Sequence, residues 1–327
     1  MDVVIPKGLA KKFMPPANGR YEVMKNRFGQ NLSIVRYEAE NADADIIVQT
    51  GLNEPKEKNS ELYSDLAARN YSVHSMDWPY QGFSDGSPNH RRRHTNGVRN
   101  DIQDFHAFVK HVKDTRKSKD APLLLMGHSY GGHIVSRYLA EDFNEADAAF
   151  ITAPMIEFNF WPDSKIGALS PAAHGLYAWA KTLSLIHGDD AYAPGCADWT
   201  IDDRDNTGDI FSNDPERKML SNAWIGANPK TQVGRTTLKW VMDSVDACRD
   251  LHKMDLSHII TPLTVALAGG EVISNNKAAY DMASRIPSAS VLEFPNAKHE
   301  MWMCDDYTRN GMLSHIDGMI AQLKLKR

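Results

Sequence analysis

The sequence predicts an α/β protein with a mostly parallel sheet flanked by helices and interrupted by one helical insertion. Three observations support this: short apolar segments alternate with amphipathic ones, the alternation stops at Ala153-Pro154, and it resumes at residue 262. Alternating strands and helices favour parallel strands joined by right-handed crossovers. The 327 residues, 42 % hydrophobic and 24 % charged, suffice for one such folding unit with an insertion.

The first half of the chain opens with a predicted β-hairpin. Tyr21–Lys25 and Leu32–Tyr37 flank a turn that contains Gly29. The wholly apolar Pro122–Met126 indicates a strand that is buried on both faces. The predicted elements after the hairpin are Ile46–Val48 (strand), 59–70 (helix), Tyr71–Met76 (strand), 98–113 (helix), Pro122–Met126 (strand), Tyr130–Glu141 (helix) and Ala148–Thr152 (strand).

Residues 155–250 differ in composition from the rest of the chain. They hold five of the seven tryptophans, namely Trp161, Trp179, Trp199, Trp224 and Trp240. We predict a mainly helical cap at residues 154–250, inserted into a core formed by residues 1–153 and 251–327. Ligands bind at the C-terminal edge of the strands in open α/β sheets, so a cap there would shape a substrate pocket.

The predicted core ends with two strand–helix pairs. The strands are Pro262–Ala268 and Ser290–Phe294, and the helices are Asn276–Arg285 and Asp306–Leu323.

Composition excludes several classes of protein. A formal charge of −5 argues against a dedicated nucleic-acid binder, which usually has a strongly basic domain. Cys196, Cys248 and Cys304 form no CxxC pair, which fits idle thiols in a reducing compartment. The N-terminus lacks a signal-peptide core, and no apolar run reaches the roughly 18 residues of a membrane span. We therefore expect a cytoplasmic protein without a transmembrane segment, and the sequence leaves its oligomeric state open.

The segment Gly127-His128-Ser129-Tyr130-Gly131 matches G-x-S-x-G between a predicted strand and a predicted helix. In the α/β-hydrolase fold this sharp turn holds a nucleophilic serine in a strained conformation, and the flanking glycines avoid collisions there. The N-terminus of the following helix favours developing negative charge. We predict Ser129 as the nucleophile, and the alternative is a serine in a plain turn.

A serine nucleophile needs a general base, which follows the last strand when the chain order is Ser, acid, His. His299 lies in that loop. His315 belongs to the final predicted helix, His252 and His258 precede the penultimate strand, and His128 lies within the motif. The sequence therefore predicts His299 as the base.

The acid of the triad should follow the penultimate strand. Glu271 is the first acidic residue after that strand, and Asp281 comes next, inside the following helix. We predict Glu271 as the acid. The alternative is that Glu271 only begins the helix, where acidic residues are favoured by the helix dipole.

An oxyanion hole in this fold combines two backbone N–H groups. One belongs to the residue after the nucleophile, here Tyr130. The other lies in a loop after an earlier strand, here Thr50–Asn53, and placement favours Leu52.

Three further features each have a functional and a structural interpretation. Asp77–Asp85 is either a support for the serine turn or an ordinary loop. Arg91–His94 suits an anionic group, but a solvated loop is the more usual role of such a run. Phe158, Phe160 and Trp161 either line an acyl pocket or belong to the core of the cap.

Taken together, these motifs resemble the lysophospholipase and monoacylglycerol-lipase branch of the α/β-hydrolases. The segments that carry the resemblance are TGLNEPKEK (50–58), DWPYQGFSDG (77–86), GHSYGG (127–132), AGGEVISNN (268–276) and NAKHEMWM (296–303). In the cap, YAPG (192–195) and NDPER (213–217) are similar to bacterial lysophospholipase-like members. The resemblance extends from about residue 20 to the C-terminus.

The resemblance implies Ser129 as nucleophile, His299 as base and Glu271 as acid, with Leu52 and Tyr130 as oxyanion donors. It implies hydrolysis of a lysophospholipid, a monoacylglycerol or a similar acyl ester through an acyl-enzyme, without a metal or organic cofactor. The partner is then a small acyl ester or lipid-like molecule, which is compatible with transient contact with a membrane surface. Three alternatives use the same fold: a serine peptidase or amidase, an acyltransferase, and a non-catalytic binding protein.

Overall fold

The computed structural model describes residues 2–89, 91–143, 145–159, 171–201 and 208–326. An eight-stranded sheet lies at the centre of these residues. Its strands are β1 (Arg20–Lys25), β2 (Asn31–Tyr37), β3 (Ala44–Gln49), β4 (Tyr71–Met76), β6 (Leu123–His128), β7 (Ala148–Thr152), β9 (Leu263–Ala268) and β10 (Ala289–Phe294). Their order across the sheet is β1-β2-β4-β3-β6-β7-β9-β10. β2 pairs antiparallel with β1 and β4, and the other pairs are parallel. The predicted hairpin and mostly parallel sheet are confirmed.

Helices cover both faces of this sheet. They are α1 (Ser60–Ala67), α2 (Val98–Thr115), α3 (Tyr130–Ala140), α4 (Pro171–His187), α5 (Gly208–Phe211), α6 (Leu220–Ala227), α7 (Leu238–Lys253), α8 (Asn276–Ser284) and α9 (Asp306–Leu325). The core cluster on one face takes side chains from α2, α3, α7 and α8, and the cluster on the other face takes them from α1 and α9. Leu123 and Leu125 of β6 point into the first cluster, and Leu124 and Met126 into the second. This alternation is why the strand had to be apolar throughout.

The predicted helix over 59–70 is shorter than expected. A 3-10 helix, Lys56–Asn59, precedes α1, and α1 ends at Ala67. Asn70 follows with φ of 62°, a left-handed conformation that cannot continue a helix.

The inserted region is largely helical where the structure describes it, with α4 to α7 after β7 and one short strand, β8 (Gly234–Thr236). The predicted boundary at residue 250 falls inside α7, so no break in the backbone marks it, and the division into core and cap remains a prediction. Phe160, Trp161 and the rest of residues 160–170 lie outside the described part of the chain.

β8 pairs with β5 (Arg92–Arg93) in a separate parallel two-stranded sheet. The predicted solvated loop at Arg91–His94 is therefore wrong for Arg93, which is completely buried. Arg93 accepts a backbone hydrogen bond from Thr237 at 3.1 Å, and Arg91 accepts one from Gly234 at 2.7 Å. The basic run therefore joins the inserted region to the core.

All three cysteines are free, with Cys248 and Cys304 buried and Cys196 half-buried. Within the described residues, no helix is both long and apolar enough to cross a membrane.

Candidate active site

Ser129 lies between β6 and α3, at the tip of a turn that only small flanking residues permit. Its φ is 52°, a left-handed conformation that is costly for a residue with a side chain. A Cβ atom on Gly127 would lie 2.5 Å from the carbonyl oxygen of Gly131, and one on Gly131 would lie 2.6 Å from that of Gln49. The glycines of the motif are therefore required by the close approach of β3, β6 and α3.

Three predicted side chains form one chain of hydrogen bonds. Oγ of Ser129 lies 3.0 Å from Nε2 of His299, and Nδ1 of His299 lies 2.7 Å from Oε2 of Glu271. The second oxygen of Glu271 accepts the backbone N–H groups of Ile273, at 2.7 Å, and Ser274, at 3.1 Å. These bonds fix the carboxylate, so the geometry suits a base oriented by an acid.

Burial and charge act in opposite directions on these groups. Burial alone would lower the pKa of His299, but the charge and hydrogen bond of Glu271, helped by Glu300 and Glu54, raise it above its ordinary value. Burial would likewise raise the pKa of Glu271, but His299 and the two backbone donors hold it below its ordinary value. The arrangement therefore favours an ionised acid beside a histidine that readily accepts a proton.

The other candidates lie elsewhere. His315 contacts Thr264 Oγ1 at 3.0 Å from the final helix, and His252 lies 2.7 Å from Glu157. His128 lies in the same cavity as Ser129, but its Nδ1 contacts Thr152 Oγ1 at 3.1 Å, and burial lowers the pKa of its ring well below the ordinary value. Asp281 pairs with Lys277 on the surface of α8.

The loop after β3 presents amides near Ser129. Gly51 donates to Oε2 of Glu54 at 3.0 Å, and Asn53 donates to Oε1 of Gln81 at 2.8 Å. Between them, the N–H of Leu52 makes no hydrogen bond to any residue that the structure describes, and neither does the N–H of Tyr130. Both amides predicted as oxyanion donors thus have no acceptor in the part of the chain that the structure describes.

The Asp77–Asp85 loop supports the site mainly by contacts with the loop after β3, rather than with the serine turn. Gln81 donates to the carbonyl oxygens of Gly51, at 2.9 Å, and Glu54, at 2.7 Å. The indole N–H of Trp78 donates to Thr50 at 2.9 Å. The sequence left two interpretations of this loop, a support or an ordinary loop, and these contacts favour the support.

Sequence reasoning missed a buried ionic group beside His299. Nζ of Lys58 lies 2.7 Å from Oε1 of Glu54 and 2.6 Å from Oε2 of Glu300. All three side chains are at most 5 % exposed. Glu54 and Lys58 belong to a segment of alternating charge, residues 54–58, which is equally typical of a solvated surface, so no signal in one sequence distinguishes the two cases.

The inserted region also contacts the histidine loop directly. The amide of Glu300 donates to the carbonyl of Phe211 at 2.8 Å, and that of His299 donates to Ile210 at 3.4 Å. Arg217, which follows Phe211 in the inserted region, binds Glu61 of α1, with its Nη2 2.7 Å from Oε1 of Glu61. The position of His299 therefore depends on the inserted region as well as on β10.

A cavity of about 380 Å³ opens at Ser129 and His299. Its apolar lining comprises Leu52, Met155, Phe158, Trp199, Ile210, Phe211, Ile225, Val233, Trp240 and Ile273. Arg235, Glu54 and Glu300 supply its charged groups. Phe158, Trp199 and Trp240 are pocket residues, whereas Trp224 is buried in the core and Trp179 is 47 % exposed.

The comparisons with known proteins agree with this architecture. The model of a family described as serine aminopeptidase, S33, matches residues 40–305. A soluble variant of monoglyceride lipase from Saccharomyces cerevisiae is similar over 98 % of this chain and 99 % of its own, at a TM-score of 0.75 and 15 % identity. Monoacylglycerol lipase from Paleococcus ferrophilus gives 0.66 and 17 %, over 89 % of this chain and 98 % of its own.

A third solved structure, a thermostable carboxyl esterase from Bacillus coagulans, has a TM-score of 0.66 and 14 % identity over 93 % of this chain and 100 % of its own. A comparison with curated proteins finds no match. At such identities the structural likeness establishes the α/β-hydrolase fold.

Proposed function

The chain belongs to the serine aminopeptidase S33 family of α/β-hydrolases, and we propose that it is a serine hydrolase that cleaves carboxylic esters. The observation that carries the proposal is the unbroken hydrogen-bond chain from Ser129 through His299 to Glu271, which opens into a largely apolar cavity. This chemistry requires no cofactor beyond the side chains and amides of the site.

In the proposed reaction, Nε2 of His299 takes the proton of Ser129 as Oγ attacks the ester carbonyl carbon. Glu271 holds the ring by its Nδ1–H and stabilises the imidazolium. His299 then gives the proton to the departing alcohol, which leaves an acyl group on Ser129. A water molecule, deprotonated by His299, attacks this acyl-enzyme and releases the acid.

We assign the oxyanion hole to the amides of Leu52 and Tyr130. Each is a donor without an acceptor among the described residues, and Tyr130 begins α3, whose N-terminus favours negative charge. Removing one oxyanion donor typically lowers kcat by about 10²–10³-fold.

The cavity favours an acyl ester such as a monoacylglycerol or lysophospholipid. Ten apolar side chains form most of its lining. An aminopeptidase would need a carboxylate for the α-ammonium group of its substrate. Among the described residues, the carboxylates of the lining are those of Glu54 and Glu300, which share Lys58, and Arg235 adds a second positive charge to the lining, so we favour the ester.

A peptidase or amidase remains the second candidate because of the name of the matching family. An acyltransferase, in which an alcohol or amine replaces the water, would use the same acyl-enzyme. A non-catalytic binding protein would retain the fold without turnover.

The test is hydrolysis of p-nitrophenyl esters from acetyl to palmitoyl. Ser129→Ala should lower kcat by about 10⁶-fold, since the nucleophile is lost. Ser136→Ala is the matched control, because Ser136 is another buried serine, on α3, whose hydroxyl donates to the carbonyl oxygen of Gly132 at 2.8 Å. Equal turnover by Ser129→Ala and the parent enzyme would contradict the mechanism.

Three further assays separate the alternatives. Cleavage of aminoacyl arylamides without ester cleavage would favour the peptidase. Acylated glycerol among the products, when glycerol is added, would favour the acyltransferase. No turnover and no labelling of Ser129 by a fluorophosphonate would favour the binding protein.

We further propose a cytoplasmic protein whose cap, residues 154–250, touches lipid surfaces transiently. On α4, Trp179 is 47 %, Leu185 82 % and Ile186 68 % exposed, and apolar side chains exposed on one helix can insert into a lipid surface. Leu185→Ser and Ile186→Ser together should reduce sedimentation with phosphatidylcholine vesicles and leave turnover of p-nitrophenyl butyrate unchanged. Unaltered sedimentation would contradict the surface contact.

A further inference from the structure

The tyrosine that follows Ser129 is anchored at both ends of its side chain. Its backbone begins α3, and its hydroxyl donates to Oδ2 of Asp101 in α2 at 2.5 Å. The ring is fully buried and makes an edge contact with Trp78 at 5.6 Å and a tilted contact with Trp240 at 6.0 Å. The residue held in this way carries a proposed oxyanion amide.

A third polar residue joins the pair. The guanidinium carbon of Arg93 lies 5.6 Å from the centre of the Tyr130 ring, and Nη1 of Arg93 donates to the carbonyl of Pro79 at 2.7 Å. Arg93, Tyr130 and Asp101 form what we call the Tyr130 anchor. Each of these side chains is at most 1 % exposed.

If only the stability of the fold is considered, the Tyr130 anchor is unfavourable. Oδ1 of Asp101 and two nitrogens of Arg93, Nε and Nη2, make no hydrogen bond within the described chain. Burial raises the pKa of Asp101 to about 7, against the opposing charge of Arg93 and the hydrogen bond of Tyr130. Buried polar groups with incomplete partners destabilise a fold, so their presence behind the nucleophile suggests a functional role.

The geometry connects this group to the oxyanion site. The direction of the Tyr130 N–H is set by the peptide between Ser129 and Tyr130, next to the strained φ of 52° at Ser129. Strain at this point means that the peptide needs support from its surroundings. The side chain of Tyr130 leaves the same Cα atom and ends on Asp101, so the hydroxyl contact restricts rotation of the residue as a whole.

We propose that Asp101 is a positioning residue for ester hydrolysis: by accepting the Tyr130 hydroxyl, it holds the Tyr130 amide toward the oxyanion. Arg93 supports the ring from the sheet that joins the inserted region to the core. The inference rests on the proposed esterase function, and neither Asp101 nor Arg93 touches the substrate.

The first experiment is a double-mutant cycle on p-nitrophenyl ester hydrolysis. Tyr130→Phe removes the hydroxyl, and Asp101→Leu removes its acceptor. Each should lower kcat by about 10- to 100-fold, with KM within about twofold, because displacement of a catalytic group by up to 1 Å costs this much. The double variant should match either single variant, since all three lose one shared contact. Asp101→Asn keeps an acceptor oxygen and should recover part of the rate.

The second measurement separates positioning from general structural support. An alkyl boronic acid forms a tetrahedral adduct with Ser129 and places an oxygen in the proposed hole. Its inhibition constant should weaken in Tyr130→Phe by the same factor as kcat/KM, whereas the inhibition constant of the fatty-acid product should stay unchanged. The matched control is Tyr138→Phe, a second buried tyrosine of α3, which packs on Phe105 at 5.3 Å and should keep parent values.

Parent boronate affinity and kcat in folded Tyr130→Phe, with an active parent enzyme, would overturn the positioning role. So would additive losses in the double variant. An inactive parent enzyme would instead overturn the proposed function, so the two failures are distinguishable. If Asp101→Leu does not fold, Tyr130→Phe and Asp101→Asn still decide the question.

Discussion

Oε2 of Glu271 lies 2.7 Å from Nδ1 of His299, and the two side chains are only 1 % and 5 % exposed. At this distance and burial, the ionised carboxylate stabilises the protonated imidazole enough to offset the effect of burial, which would otherwise lower the pKa of His299. The pair therefore sets the pH at which His299 becomes a free base.

Replacing Glu271 by Gln should change both the rate and its pH dependence. His299 acts as a base only when neutral, so kcat/KM should rise as pH increases through the pKa of His299. Glu271 raises that pKa, so Glu271→Gln should lower it and move the acid limb to lower pH, while kcat falls by about 10⁴-fold.

The measurement is kcat/KM for a p-nitrophenyl ester against pH. Glu293→Gln is the control, because Glu293 is an exposed carboxylate on β10 and its loss should leave the profile unchanged. If kcat/KM of Glu271→Gln falls on the acidic side at the same pH as kcat/KM of the parent enzyme, the Glu271–His299 pair does not set this pH dependence.

The glycines of the serine turn should be intolerant of any side chain. In Gly131→Ala, the new Cβ would lie 2.6 Å from the carbonyl oxygen of Gln49, which belongs to a central strand. Relieving this contact requires a backbone shift that should cost about 1–3 kcal/mol of unfolding free energy and abolish turnover.

Gly175→Ala is the control, and it should raise the unfolding free energy rather than lower it. Gly175 lies in α4, and a Cβ atom added there would have no atom of the described residues within 4 Å. This variant should therefore gain up to about 1 kcal/mol from helix propensity. Urea unfolding of both variants checks the pair. Equal stability of Gly131→Ala and the parent protein would contradict the steric account.

Much of the core could be predicted from the sequence because its local patterns and its tertiary environment agree. Tyr71–Met76 and Ala148–Thr152 were predicted with the bounds that the structure has, since both are short, buried strands next to clear turns. The triad candidates were found through chain order, which the fold converts into proximity: Ser129 and His299 are 170 residues apart and lie 3.0 Å from each other.

The buried charges could not be predicted in this way. Arg93 sits in a run of three arginines, and Lys58 in a run of alternating charges, both of which are typical of exposed loops. Each is buried because partners from distant parts of the chain meet it: Pro79 and Thr237 for Arg93, and Glu300 for Lys58. Local pattern carries no information about such partners.

Lys58 should be essential for stability. Its ammonium is the shared partner of Glu54 and Glu300, so Lys58→Met would leave two buried carboxylates close together. Breaking a buried ion pair by removing one partner costs about 3–5 kcal/mol, and Lys58→Met should lower the unfolding free energy by this amount.

Lys113→Met is the matched control for Lys58→Met. Lys113 pairs with Glu145 at 2.5 Å, but the two side chains are 43 % and 27 % exposed. Such a surface pair contributes about 1 kcal/mol or less. Urea denaturation of both variants measures the difference, and similar small losses would show that the buried group is not a stabilising unit.

The size of the cavity should set the preferred acyl chain. Val233 lines the cavity directly before β8, so a larger side chain there would take up space in the cavity itself. In a cavity of about 380 Å³, Val233→Phe should shorten the preferred chain by about two methylene groups, because closely packed apolar sites have no spare room. Val233→Ala should lengthen it. The measurement is kcat/KM across p-nitrophenyl esters from acetyl to palmitoyl, with Val23→Phe on the surface of β1, where Val23 is 53 % exposed, as the control. An identical chain-length profile in all three variants would mean that the acyl group binds elsewhere.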